Sequence, residues 1–154
     1  MRQALVLILA VACALPVFGQ GKIYSIDQRL TLAAASGVVT VQLPAGTLRN
    51  VSFTGVAVYC SVACEFTVER DGTLATTTAR QPAPLNASDG NGTAMLYYSS
   101  NVGAGTTIAR YVVPAGGTIP LSLTSKFLTA GQNFTIRTDA ITGTFISNWQ
   151  WREN

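Results

Sequence analysis

Cys60 and Cys64 are the mature residues most obviously equipped for chemistry, and they flank Ser61-Val62-Ala63. A zinc site would need two further soft ligands. The chain has no histidine, and its third cysteine, Cys13, lies in an N-terminal leader. A thioredoxin-like redox pair would read C-x-x-C beside a helix, whereas this is C-x3-C between two strand-like runs. In an exported chain the pair most simply forms a disulfide. The closed loop is so short that the chain-entropy gain falls below the ~3 kcal/mol expected of a fifteen-residue loop.

The lack of histidine removes Ser-His-Asp and Cys-His catalysis and His proton shuttles. The carboxylates are Asp27, Glu65, Glu69, Asp71, Asp89, Asp139 and Glu153. Glu65 and Glu69 share a strand face but stand roughly 13 Å apart along an extended chain. A glycosidase pair needs about 5–9.5 Å. We therefore expect no catalytic residues, no metal, no cofactor and no enzymatic turnover. Asn86, Ser88, Asp89 and Asn91 make an oxygen-rich loop that could hold Ca²⁺, but the spacing fits no EF-hand. An ordinary Gly-rich loop tip is the simpler reading.

Aromatic side chains offer the other candidate site. Phe145, Ser147, Trp149 and Trp151 fall on one face of an alternating segment. They close the core, form a subunit interface or stack on sugar rings. Tyr97 and Tyr98 point to opposite faces, which leaves one of them available to a partner.

The first nineteen residues read as a secretory signal peptide. Arg2 precedes an apolar run, Ala4 to Leu15, that is too short to span a bilayer, and Pro16 and small residues follow. Cleavage after Gly19 is favoured over cleavage after Ala14, and lipidation at Cys13 is a minor alternative. The domain then starts at Gln20 and runs to Asn154. Losing Arg2 leaves nine basic against seven acidic side chains, a net charge of +2. The basic residues are scattered and form no stripe, so nucleic acid is not an expected partner. Four sequons, at Asn50, Asn86, Asn91 and Asn133, are glycosylated only if the source cell does so.

The elements that must position these residues are strands. Thr and Val abound, Gly and Pro punctuate short runs, and no segment sustains a 3.6-residue period. The pattern predicts eight or nine strands in an antiparallel two-sheet sandwich. The clear candidates are Gly37–Leu43, Asn50–Cys60, Cys64–Glu69, Thr73–Ala79, Thr93–Ser99, Thr106–Val113, Thr118–Leu123, Asn133–Thr138 and Gly143–Trp151, with Ile23–Asp27 and Arg29–Leu32 as weaker candidates ahead of them. A loop of about thirteen residues runs from Arg80 to Gly92, longer than usual connections. In Asn50–Cys60, Val51 and Phe53 fall on one face and Val56 and Val58 on the other. A bulge at Gly55 would restore one inward face. Leu43-Pro44-Ala45-Gly46, Val113-Pro114-Ala115-Gly116 and Leu128-Thr129-Ala130-Gly131 repeat one turn solution in which Gly supplies positive φ.

From about Gly21 to Trp151 the chain resembles small jelly-roll proteins of the phage-structural and tumour-necrosis-factor-like kinds. The resemblance is carried by the Pro-Ala-Gly turns, residues 128–136 and Trp149-Gln150-Trp151. It implies a non-enzymatic structural or binding role, often in a trimer, and assigns no functional residue. The expected partners are further copies of the chain, three in all, or a larger surface or particle. A carbohydrate bound by exposed aromatics is the alternative. No membrane span is expected, and the protein is expected to be secreted.

Overall fold

The computed structural model describes residues 21–33, 37–72, 78–99, 105–123 and 126–154. The leader with Cys13 and both cleavage points and residues 73–77 of the expected strand Thr73–Ala79 lie outside the described residues.

Twelve strand segments occur among them. In chain order they are β1 (Lys22–Ala33), β2 (Val38–Gln42), β3 (Val51–Cys60), β4 (Cys64–Arg70), β5 (Thr78–Arg80) and β6 (Ala83–Pro84). β7 (Met95–Ser99), β8 (Thr106–Val113), β9 (Gly117–Pro120), β10 (Phe127–Leu128), β11 (Asn133–Thr138) and β12 (Thr142–Glu153) follow. Twelve exceeds the expected eight or nine, and two of them, β6 and β10, are two-residue segments that match no expected strand. Each exists because a long strand offers it backbone partners, β1 for β6 and β3 for β10. No local pattern marks them. The two candidates at Ile23–Asp27 and Arg29–Leu32 fuse into β1, which pairs with β12 from Lys22↔Glu153 to Ala33↔Thr142.

Two antiparallel sheets pack face to face. Sheet A has the order β10-β3-β12-β1-β6, with β9 also paired to β3, and sheet B the order β5-β7-β2-β11-β4-β8. Alternation sets the inner faces. Tyr24 and Ile26 of β1, Phe53, Val56 and Val58 of β3 and the inward row of β12 meet Val39, Val41, Phe66, Val68, Phe134 and Ile136 of sheet B. The Phe53 ring joins the layers, 5.5 Å from Phe134 across the interface and 5.6 Å from Trp149 beside it.

Two local features follow the sequence. The β3–β12 register jumps from Gln150↔Gly55 to Trp151↔Phe53, so Thr54 is the extra residue of a bulge. Val51 and Phe53 thereby face inward together with Val56 and Val58. The three repeated turns each end in a glycine of positive φ: 80° at Gly46, 68° at Gly116 and 80° at Gly131. A side chain there would carry the left-handed penalty.

Candidate functional site

The aromatic row of β12 belongs to the core. Phe145 is 1% exposed, and Trp149 and Trp151 are fully buried. Parity places these side chains on one face, and the structure turns that face inward. Their polar atoms explain the choice. The Trp149 indole N–H donates to Ser147 Oγ at 3.1 Å, and the Trp151 indole N–H donates to Glu153 Oε1 at 3.3 Å. Each ring is thus satisfied two residues along the same face, which permits full burial. The row offers no ring to a sugar or a partner. Tyr97 and Tyr98 of β7 are half-buried, and Tyr98 packs against the core.

Sequence reasoning missed Glu153. It is 1% exposed. Its Oε1 accepts the Thr93 and Ala94 N–H groups at 2.9 and 2.8 Å as well as the Trp151 indole. A buried carboxylate held by amide donors is well compensated, and it ties the far end of the Arg80–Gly92 loop to the last strand. Tyr24 joins the same end, donating its hydroxyl to the Gly90 carbonyl at 3.2 Å. Burial pushes the Tyr24 phenol above its ordinary value, and the negative charges of Glu153 and Asp89 add to the rise against the opposing Arg49.

The expected ligand loop is largely self-satisfied. Asn86 Oδ1 accepts the Ser88 N–H and hydroxyl at 3.2 and 2.9 Å, a local turn. Asp89 meets the Lys22 ammonium at 3.6 Å, and Asn91 is exposed. Asn86 and Asp89 help line a surface cavity of about 460 Å³ with Gly21, Lys22, Ile23 and Leu85. A cation already sits against its carboxylate, which suits a polar or anionic contact better than Ca²⁺. Among the described residues no three Cys, Asp or Glu side chains gather as a metal site.

Glu65 and Glu69 do share the outer face of β4, and each has its own arginine. Arg110 reaches Glu65 at 3.1 Å, and Arg137 reaches Glu69 at 3.0 Å. Glu69 is 4% exposed and also accepts the Gly105 N–H and the Thr67 hydroxyl. Burial alone would raise its pKa. The Arg137 and Gly105 hydrogen bonds, the Arg137 charge and the Thr67 hydroxyl outweigh that and hold it below the ordinary value. A surface cavity of about 280 Å³ opens here, lined by Glu65, Thr67, Arg110, Arg137, Thr138 and Asp139 among others. Its charges compensate one another, which favours polar contact over proton transfer.

Cys60 and Cys64 are joined as expected, with Cα atoms 6.4 Å apart across the β3–β4 turn. One sequon fails on burial. Asn133 is 4% exposed, and its amide donates to the Gly72 carbonyl at 2.8 Å while accepting the Gly72 N–H at 3.1 Å. That nitrogen is not available for a glycan in the folded chain. Asn50, Asn86 and Asn91 are exposed.

The outer face of sheet A carries an uncharged strip along β3 and β12, bordered on β1 by Asp27 and Arg29, the partners of Asn148 and Ile146. Gly55, Ala57 and Tyr59 of β3 lie beside Ile146, Asn148 and Gln150 of β12 and alternate with core residues. No helix among the described residues is long and apolar enough to cross a membrane. No protein-family model, curated protein or solved structure matches the chain.

Proposed function

We propose that this chain is a secreted, non-enzymatic structural or interaction protein that acts through surface shape. After loss of residues 1–19 it assembles with copies of itself through the outer face of sheet A, or docks that face on a larger surface. The observation that carries this reading is the uncharged strip of Gly55, Ala57, Tyr59, Ile146, Asn148 and Gln150 across paired strands β3 and β12. Low charge at the centre of a face is the compositional mark of an interface. The strand order β1-β12-β3-β9 opposite β2-β11-β4-β8 supports a jelly-roll reading. The resemblance to tumour-necrosis-factor-like and phage-structural proteins sets the expected number of copies at three. Burial of Trp149 and Trp151 favours assembly over sugar binding. Light scattering on residues 20–154 tests the reading. A stable mass of three chains supports it, and a monomer at high concentration overturns self-assembly.

A further inference from the structure

We infer that Asn91-Gly92 is a site of spontaneous chemical modification, where the Asn91 carboxamide cyclises onto the Gly92 nitrogen and opens to aspartate or isoaspartate. The inference is independent of how the chain assembles.

An Asn-Gly pair is predisposed to this reaction. Glycine puts no side chain beside its own amide nitrogen, and asparagine is among the thermolabile residues. The deprotonated Gly92 nitrogen attacks Asn91 Cγ. A five-membered succinimide forms, and the carboxamide nitrogen leaves as ammonia. Water, the only co-reactant, then opens the ring. Addition at Cγ gives aspartate on an unchanged backbone. Addition at the main-chain carbonyl gives isoaspartate, whose backbone runs through Cβ and Cγ and is longer by a methylene. Either product replaces a neutral amide with a carboxylate.

The fold leaves this pair open and closes the comparable ones. Asn91 is exposed, and neither residue lies in a strand. Among the described residues neither the Asn91 carboxamide nor the Gly92 N–H takes part in a hydrogen bond. At Asp71-Gly72 the buried Gly72 N–H donates to Asn133 Oδ1 at 3.1 Å, which withholds the nucleophile. At Asp89-Gly90 the electrophile is a carboxylate, paired with Lys22 at 3.6 Å. Asn86 precedes Ala87, and its Oδ1 is held by Ser88. Asn133 is buried, and Asn148 lies within the paired strand β12.

The position of the pair gives the reaction a structural consequence. It lies between two anchors: the Gly90 carbonyl held by Tyr24, and the Thr93 and Ala94 N–H groups held by Glu153. The Gly92 carbonyl accepts from Gln81 at 2.6 Å. A Cβ at Gly92 would stand 2.9 Å from Pro82 Cγ and 3.1 Å from Glu153 Oε1, so the backbone has no slack there. A longer backbone at position 91 cannot keep both anchors. The new carboxylate also joins a loop end that already holds Asp89 and Glu153, and like charges repel. Conversion to isoaspartate therefore releases the loop end from the last strand.

The test is ageing of residues 20–154, made in a host without N-glycosylation, in mildly alkaline buffer. Peptide mapping by mass spectrometry locates each exchange of ammonia for water, and labelling by an isoaspartyl methyltransferase marks isoaspartate. Position 91 should convert first, while Asn86 and Asn133 remain amides. The ion-exchange profile should shift by a single negative charge, and Asn91→Gln should abolish that shift. In the isoaspartyl fraction the Thr93 and Ala94 amides should exchange with solvent deuterium faster than in fresh protein. Asn91→Asp adds the charge without the methylene and should keep their protection. An Asn91 amide that survives in the folded chain, under conditions that convert it in urea, overturns the site. Isoaspartate at position 91 with unchanged exchange at Thr93 and Ala94 overturns release of the loop.

Discussion

The outer faces of the two sheets differ in what lies on them. On sheet A, Asn148 is exposed and Gly55, Ala57, Tyr59, Ile146 and Gln150 are half-exposed, so β3 and β12 are buried on one face only. On sheet B the outward residues Val38, Thr40 and Thr135 are fully buried, and Glu69 and Asn133 are 4% exposed. β2 and β11 are thus buried on both faces. The polar groups on that outer side are paired: the Thr40 and Thr135 hydroxyls at 2.8 Å, Glu69 with Arg137, and Asn133 with Gly72. Substitution of a buried paired group leaves a partner unsatisfied, whereas substitution on a solvated face does not. Among the described residues, one outer face is therefore fixed by internal bonds and the other is partly solvated.

The largest effect should come from the layer that both sheets share. Trp149→Ala removes a fully buried ring in contact with Phe53. It should cost about 3–5 kcal/mol in denaturant unfolding. A loss under about 1 kcal/mol would contradict a common core at that point.

The contrast between outer faces is sharpened by a pair of variants. Glu69→Ala removes the buried carboxylate that accepts from Arg137, the Gly105 N–H and the Thr67 hydroxyl, and should cost about 2–3 kcal/mol. Gln150→Ala on sheet A should stay within about 0.5 kcal/mol. Equal costs, measured by urea unfolding, would erase the distinction.

Acid should act on Glu69 and alkali on Tyr24. The Glu69 pKa is lower in the fold than its ordinary value of 4.5. Its contribution is therefore complete above the ordinary value and is lost as pH falls through the folded one. Glu69→Gln should flatten the acid limb of a stability–pH curve. The Tyr24 pKa is raised above 10.0, so its contribution is present below that pH and is lost as pH rises through the folded value. Tyr24→Phe should blunt the alkaline limb. Limbs unchanged in both variants would place the titrating groups elsewhere.

Local pattern carried much of this fold. The parity break between Val51-Phe53 and Val56-Val58 marks a bulge, expected at Gly55 and found one residue earlier at Thr54, and the repeated turns mark Gly46, Gly116 and Gly131 as positive-φ sites. Parity also groups Phe145, Trp149 and Trp151, but parity cannot say whether a face looks inward. That depends on the Ser147 and Glu153 acceptors and on the Phe53 and Phe134 rings. The Glu153–Thr93 and Glu69–Arg137 contacts join residues 60 and 68 apart in the chain. Two-sided burial of β2 and β11 likewise arises from tertiary arrangement. A sequon motif records neither, which is why Asn133 reads as a glycan site and proves to be a buried clamp.

The smallest change in stability should accompany the most informative change in assembly. Ile146 is half-exposed at the centre of the sheet A face, where arginine costs the isolated fold little. Light scattering of wild type and Ile146→Arg, each as residues 20–154, tests the central claim directly. Assembly through this face predicts a mass of three chains for wild type and one chain for the variant. An unchanged mass in the variant, with its melting temperature intact, would contradict assembly through this face.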